Sequence, residues 1–219
     1  MDDGTARNPH LGQRVLRWGP ATAPIVVLAA HGRGQEPEFM QRLAGRFGPL
    51  PARFVAPAAA GDSWYPQPFR QPLAANQPNL GHALDALDRQ IDELLGAGTP
   101  ARALVLLGFS QGACLLTHLL LTRPRPLGAA LLFTGGFIGA EPIPAPAPAA
   151  LDGLPVLVRS IRDDPWVPAH RVLDSADLFK AAGARLDLHI APGDEHVVTD
   201  EACVAGADLI HRLAAGDLP

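Results

Sequence analysis

The apolar run Ala103-Leu104-Val105-Leu106-Leu107 ends at Gly108-Phe109-Ser110-Gln111-Gly112, and a second apolar stretch, Ala113 to Leu120, begins at once. A run of strand length joined without a linker to one of helix length demands a tight turn. Glycines two before and two after Ser110 keep neighbouring side chains from colliding with strand and helix. The segment therefore reads as strand, sharp turn and helix with Ser110 at the apex, the geometry of a nucleophile elbow. G-x-S-x-G is common by chance, so its weight comes from these flanks and from partners elsewhere in the chain.

The same alternation runs through the sequence. Gln13 to Trp18 reads as an edge strand, and Pro24 to Ala30, an unbroken apolar run, as a central strand of a parallel sheet. Pro37 to Phe47 has helical spacing, Arg53 to Ala56 is a short strand, and the aromatic, proline-rich stretch Ser63 to Pro78 is an ordered loop. In Leu80 to Leu95 apolar residues recur at three and four residue steps with Asp85, Asp88, Arg89 and Asp92 between them, which gives an amphipathic helix. Leu127 to Phe133, Leu154 to Ser160 and Arg185 to Ile190 read as strands, with helices from Pro168 to Ala182 and from Asp200 to Leu213. The proline-alternating segment Glu141 to Ala150 is a loop. Strands alternating with helices make this an α/β chain with a mostly parallel central sheet flanked by helices.

A length of 219 residues suits one domain with few insertions, 1–219, with residues 1–12 expected to fray. A net charge of −4 gives no electrostatic reason to expect nucleic acid. The first residues lack a basic and an apolar leader, and no apolar run reaches membrane-spanning length, so the expectation is a cytoplasmic protein without stable membrane insertion. Cys114 and Cys203 have no metal-ligand spacing and read as packing residues; neither metal nor cofactor is expected, and a homodimer is allowed.

A serine hydroxyl needs a base, and the base needs an acid to hold its tautomer. In α/β-hydrolases these follow in the order Ser, acid, His, each in a loop after a sheet strand. Here Arg162-Asp163-Asp164-Pro165-Trp166-Val167-Pro168 follows one strand and Pro192-Gly193-Asp194-Glu195-His196-Val197 follows another. The other seven histidines fall in the wrong places, which leaves His196 as the base. Asp163 and Asp164 are both open as the acid. The oxyanion donors would be two main-chain N–H groups, that of Gln111 after the nucleophile and that of Arg33 in the loop His31-Gly32-Arg33-Gly34.

Taken together, His31-Gly32-x-Gly34, Gly108-Phe109-Ser110-Gln111-Gly112, Asp164-Pro165-x-Val167-Pro168 and Gly193-x-x-His196 resemble the small phospholipase/carboxylesterase family, which includes the acyl-protein thioesterases. The resemblance runs from about Ile25 to the last helix. It implies an α/β-hydrolase fold with little or no lid domain and a cofactor-free serine hydrolase acting on a small ester or thioester. It also selects Asp164 over Asp163. Two positions depart from the family pattern. Arg33 stands where members often carry a bulky apolar residue, and Thr134 where acyl-protein thioesterases usually carry serine. The Arg33 guanidinium either favours an acidic substrate or projects into water, and solvation is the default for an exposed arginine.

Trp64, Tyr65, Phe69, Phe137 and Trp166 are candidates to line an acyl groove, with core packing as the alternative for each. Trp64, Tyr65 and Trp166 form the preferred wall, with Phe137 beside them. Rival classes are a dienelactone-hydrolase-like enzyme, which ordinarily uses cysteine, and a hydrolase-fold binding protein without catalysis. A dinucleotide-binding module is disfavoured because Pro37 stands where its fingerprint needs glycine.

Overall fold

Six apolar residues in succession, Ile25–Ala30, form β2, and every one is buried. A strand can be apolar on both faces only if layers cover both. The computed structural model, which describes residues 7–217, supplies them. β1 (Val15–Trp18), β2, α1 (Pro37–Arg46), β3 (Ala52–Pro57), α2 (Asn79–Gly96), β4 (Leu104–Phe109) and α3 (Gln111–Thr122) are followed by β5 (Ala129–Phe133), β6 (Pro155–Ile161), α4 (Ala169–Ala181), β7 (Arg185–Ala191) and α5 (Asp200–Ala215). The strands pair in the order β1-β3-β2-β4-β5-β6-β7. β1 runs antiparallel to β3 and every other pairing is parallel. This is the α/β-hydrolase sheet with its antiparallel edge strand.

Alternation along each central strand divides the core in two. Val26, Leu28, Leu104 and Leu106 face α2, α3 and α4, where Leu87, Ile91, Leu116 and Phe179 meet them. Ile25, Val27, Val105 and Leu107 face α1 and α5, against Met40, Leu43 and Ile210. At the far edge β7 alternates exposed and half-buried residues, because it has one strand neighbour and a single covered face.

Element boundaries lie within about two residues of those expected from periodicity, which is ordinary fraying at element ends. The expected frayed start is corrected where it can be seen. Residues 1–6 lie outside the described residues, but residues 7–12 form turns anchored on the fold. Asn8 Nδ2 donates to the His82 carbonyl at 2.7 Å, and the buried His10 accepts from the Ala60 N–H at 3.1 Å and bonds the Trp64 carbonyl at 3.1 Å. Polar contacts to residues far along the chain hold this segment, and hydropathy carries no sign of them.

Because β2, β3, β4, β5, β6 and β7 run parallel, the loops after them gather at one sheet edge. In open α/β sheets this is the edge where chemistry is assembled.

Candidate active site

At the end of β4 the backbone turns so sharply that Ser110 takes φ 53°, ψ −119°, a conformation costly for a residue with a side chain. The two glycines make the turn sterically possible. A β-carbon on Gly108 would stand 2.6 Å from Ala113 Cα, and one on Gly112 would stand 2.1 Å from the Ala30 carbonyl oxygen. The N–H of Ser110 donates to the Phe133 carbonyl at 3.0 Å, which ties the apex to β5.

The loop after β6 brings Asp164 to this apex. Pro165 has no N–H, and the next two amides, of Trp166 and Val167, donate to Asp164 Oδ1 at 2.8 and 2.9 Å. That local ring, which the D-P-x-V-P spacing produces, aims Oδ2 at His196 Nδ1, 2.7 Å away. His196 Nε2 lies 2.8 Å from Ser110 Oγ. A carboxylate only accepts, so Nδ1 carries the proton and the free lone pair of Nε2 receives the serine hydroxyl. Burial by itself pushes the Asp164 pKa up, but the hydrogen bonds from His196, Val167 and Trp166 and the imidazole's charge outweigh it, leaving the carboxyl below its ordinary value. Asp163, one residue earlier, is exposed, and its amide donates to the Gly193 carbonyl. The Phe109 ring stands 5.1 Å from the His196 ring and stacks on Phe39 at 5.0 Å, so the elbow's own phenylalanine backs the imidazole.

On the opposite side, the loop after β2 packs directly on the serine. A β-carbon on Gly32 would lie 3.1 Å from Ser110 Cβ. Among the described residues neither the Arg33 nor the Gln111 N–H has a protein acceptor. The loop that carries Arg33 is closely tied. His31 accepts the Ala59 N–H at Nε2 and donates from Nδ1 to the Gly32 carbonyl, Gln35 Oε1 accepts the Gly32 N–H, and the Gly34 N–H donates to the Asp62 carbonyl. Burial pushes the pKa of both His31 and His10 down, consistent with neutral rings that each accept a main-chain N–H.

Of the five candidate groove residues, Trp64, Tyr65, Phe69 and Phe137 are corrected by their burial. Trp64, Tyr65 and Phe137 are 1%, 2% and 1% exposed, so they pack within the core. Trp64 Nε1 donates to the His31 carbonyl at 2.9 Å, and its ring lies between those of His31 and His10. Phe137 is capped by the Arg171 guanidinium, 4.2 Å from its centroid. Trp166 is the exception, with 69% of its surface exposed beside Asp164.

Two further groups have no role assigned to them in the sequence reading. His10, placed in the expected frayed start, is part of the support under Trp64. Arg159, buried in β6, donates to Asp187 on β7 and to Glu201 on α5, and His189 lies 3.2 Å from the same glutamate. This ion network joins both ends of the His196 loop to β6. A charged residue in an apolar strand was the one available signal.

A cavity of about 1040 Å³ opens at the opposite, amino edge of the sheet beside Arg102, Arg125, Asp152 and Arg185. Its lining has no serine, cysteine or histidine, so chemistry outweighs size in locating the site. No group of three or more His, Cys, Asp or Glu side chains among the described residues is arranged to share a metal ion. No helix there is long and apolar enough to cross a membrane.

The phospholipase/carboxylesterase family model matches residues 21–208, which span every element that carries the site. The chain belongs to this family. Among solved structures it is similar to a phospholipase/carboxylesterase from Dyadobacter fermentans, with 28% identity, TM-score 0.81, and 91% of this chain and 96% of that one covered. A Bacillus cereus carboxylesterase (17% identity, TM-score 0.74, 95% and 100% covered) and Arabidopsis thaliana SOBER1 (19%, 0.71, 86% and 98%) share the fold. No curated protein matches at a significant level. Family membership and fold together make this an esterase-type α/β-hydrolase.

Proposed function

We propose that this phospholipase/carboxylesterase family member cleaves carboxylic esters or thioesters of small molecules through a covalent acyl-enzyme on Ser110. The observation that carries the reading is the unbroken hydrogen-bonded chain from Asp164 through His196 to Ser110, with 2.7 and 2.8 Å links. Ser110 Oγ attacks the substrate carbonyl as His196 Nε2 takes its proton, and Asp164 stabilises the imidazolium that forms. The Arg33 and Gln111 N–H groups receive the oxyanion. His196 returns its proton to the leaving group, then draws one from a water that attacks the acyl carbonyl and passes it to Ser110 Oγ as the bond to the acyl group breaks and the acid leaves. No cofactor enters these steps. Trp166 offers an exposed apolar surface for the acyl or leaving group, while Trp64, Tyr65 and Phe137 act as backing for the loops.

Initial rates on p-nitrophenyl esters from acetate to palmitate, with Ser110→Ala beside the wild type, test this. We expect serine-dependent turnover and a loss of at least about a thousandfold in the variant. Folding should be intact, because Ala inherits the same strained backbone. Burst kinetics in Ser110→Ala equal to those of the wild type would sink the assignment, and the preferred chain length identifies the acyl class.

A further inference from the structure

We propose that the Arg33 side chain is a positioning strut that fixes its own main-chain N–H for the oxyanion, and that it does not recognise substrate. This rests on the reading of Ser110 as the nucleophile. Arg33 lies between Gly32 and Gly34, so its peptide is flanked by the two residues with the least intrinsic backbone preference. A donor must nevertheless be held in place before the oxyanion forms, since reorganisation at that moment forfeits its effect.

The fork of Arg33 supplies the restraint. Nη1 donates to the Pro66 carbonyl at 2.7 Å and Nη2 to the Gln67 carbonyl at 2.9 Å, with the guanidinium 5.8 Å from the Tyr65 ring centroid. A planar guanidinium on two successive carbonyls is fixed in direction as well as distance, which a lysine cannot match. The other proposed donor residue grips the same loop. Gln111 Oε1 accepts the Trp64 N–H at 2.9 Å and its Nε2 donates to the Tyr65 carbonyl at 2.8 Å. Both residues whose main-chain N–H groups would bind the oxyanion are thus fastened by their own side chains to residues 64–67.

That loop is itself firm. Trp64 and Tyr65 are buried, and the Gln67 N–H donates at 2.8 Å to Asn76 Oδ1, a side chain with no exposed surface. The spacing between the two donors is therefore set by one shared rail. Two of the guanidinium's N–H donors, one on each terminal nitrogen, are thus already engaged by main-chain oxygens.

Steady-state kinetics of Arg33→Met and Arg33→Lys on neutral p-nitrophenyl acetate and on anionic mono-p-nitrophenyl succinate test the strut, with amide hydrogen exchange measured on the same proteins. For Arg33→Met we expect kcat to fall roughly tenfold to a hundredfold on both esters with KM within about twofold, because the oxyanion contact is made in the transition state. Arg33→Lys keeps the charge without the fork, and its kcat should stay within about threefold of the Met variant. Exchange at the Gly34 and Trp64 amides should quicken in both. An unchanged kcat in Arg33→Met overturns the proposal, as does a KM increase confined to the succinate ester that lysine restores. Absence of Ser110-dependent turnover in the wild type instead removes the hydrolase reading and the strut's catalytic role together. Exchange then reports the strut alone, and unchanged protection in Arg33→Met overturns it.

Discussion

On one side of Ser110 stand the loops after β6 and β7, which bring Asp164 and His196; on the other stand the loops after β2 and β3, which bring Arg33 and Trp64. The first side is sparse and partly wet. His196 is half-buried, its loop is mostly exposed, and its anchors are charged, through Asp164 at one end and the Arg159 network at the other. The second side has a dry web of neutral hydrogen bonds around a buried tryptophan, with His31 and His10 each accepting a main-chain N–H, and the exposed Arg33 guanidinium as a charged tie at its edge. Moving a proton requires a ring that can change charge and let water in, whereas stabilising an oxyanion requires dipoles that stay still. The two flanks are built for those two tasks.

The strongest way to break this comparison is Asp164→Asn. A neutral amide at this position favours the wrong imidazole tautomer, and kcat should fall by about three to four orders of magnitude with little change in KM. Asp163→Asn serves as its partner measurement and should leave kcat within about twofold, since an exposed side chain off the relay touches neither the imidazole nor the serine. The reverse ranking would move the acid to Asp163.

Acid separates the flanks next. In the unfolded chain histidines gain protons below about pH 6.5. His10 and His31 resist protonation in the fold because burial pushes their pKa down, so the unfolded state binds more protons and stability falls as pH drops below that value. His118, buried on α3 and accepting the Ile138 N–H, is pushed down to about 4 by burial and by Arg123, so it alone should remove about 3 kcal/mol between pH 6.5 and 4. Asp164 has the opposite linkage. Its lowered pKa makes it a stabilising group that is lost only as pH falls through the folded value, below the ordinary 3.8. Exchange at the Ala59 and Ala60 amides should therefore accelerate at a higher pH than at Trp166 and Val167. In thermal melts, His118→Leu should flatten the limb between pH 6.5 and 4. Simultaneous loss of both flanks would erase the distinction.

The smallest effect sharpens the dry side. Trp64→Phe keeps an aromatic ring but leaves the buried His31 carbonyl without its indole donor, at a cost of roughly 1–2 kcal/mol in chemical denaturation. A neutral outcome would mean that packing alone holds the loop.

Much of the fold was legible because its signals are local. Unbroken apolar runs such as Ile25–Ala30 can be strands only between two layers, and G-F-S-Q-G and D-P-x-V-P each impose a turn through the residues they contain. The acid remained ambiguous on that basis, since Asp163 and Asp164 are both polar and adjacent. The amides of Trp166 and Val167 converging on Asp164 Oδ1 mark the difference. The aromatic groove failed for the complementary reason. Whether Trp64 faces solvent depends on His10 and His31, which lie 54 and 33 residues away in the chain.

The sequence by itself determined the order of strands and helices, the strained turn at Ser110 and the strand-end positions of Asp164 and His196, because steric rules and apolar periodicity act over a few neighbouring residues. Only the tertiary structure decided that Trp64, Tyr65 and Phe137 lie within the core, that His10 is anchored, and that the Arg33 fork closes on Pro66 and Gln67. Those outcomes depend on which distant segments the sheet brings together, and on burial that no single stretch of chain can create alone.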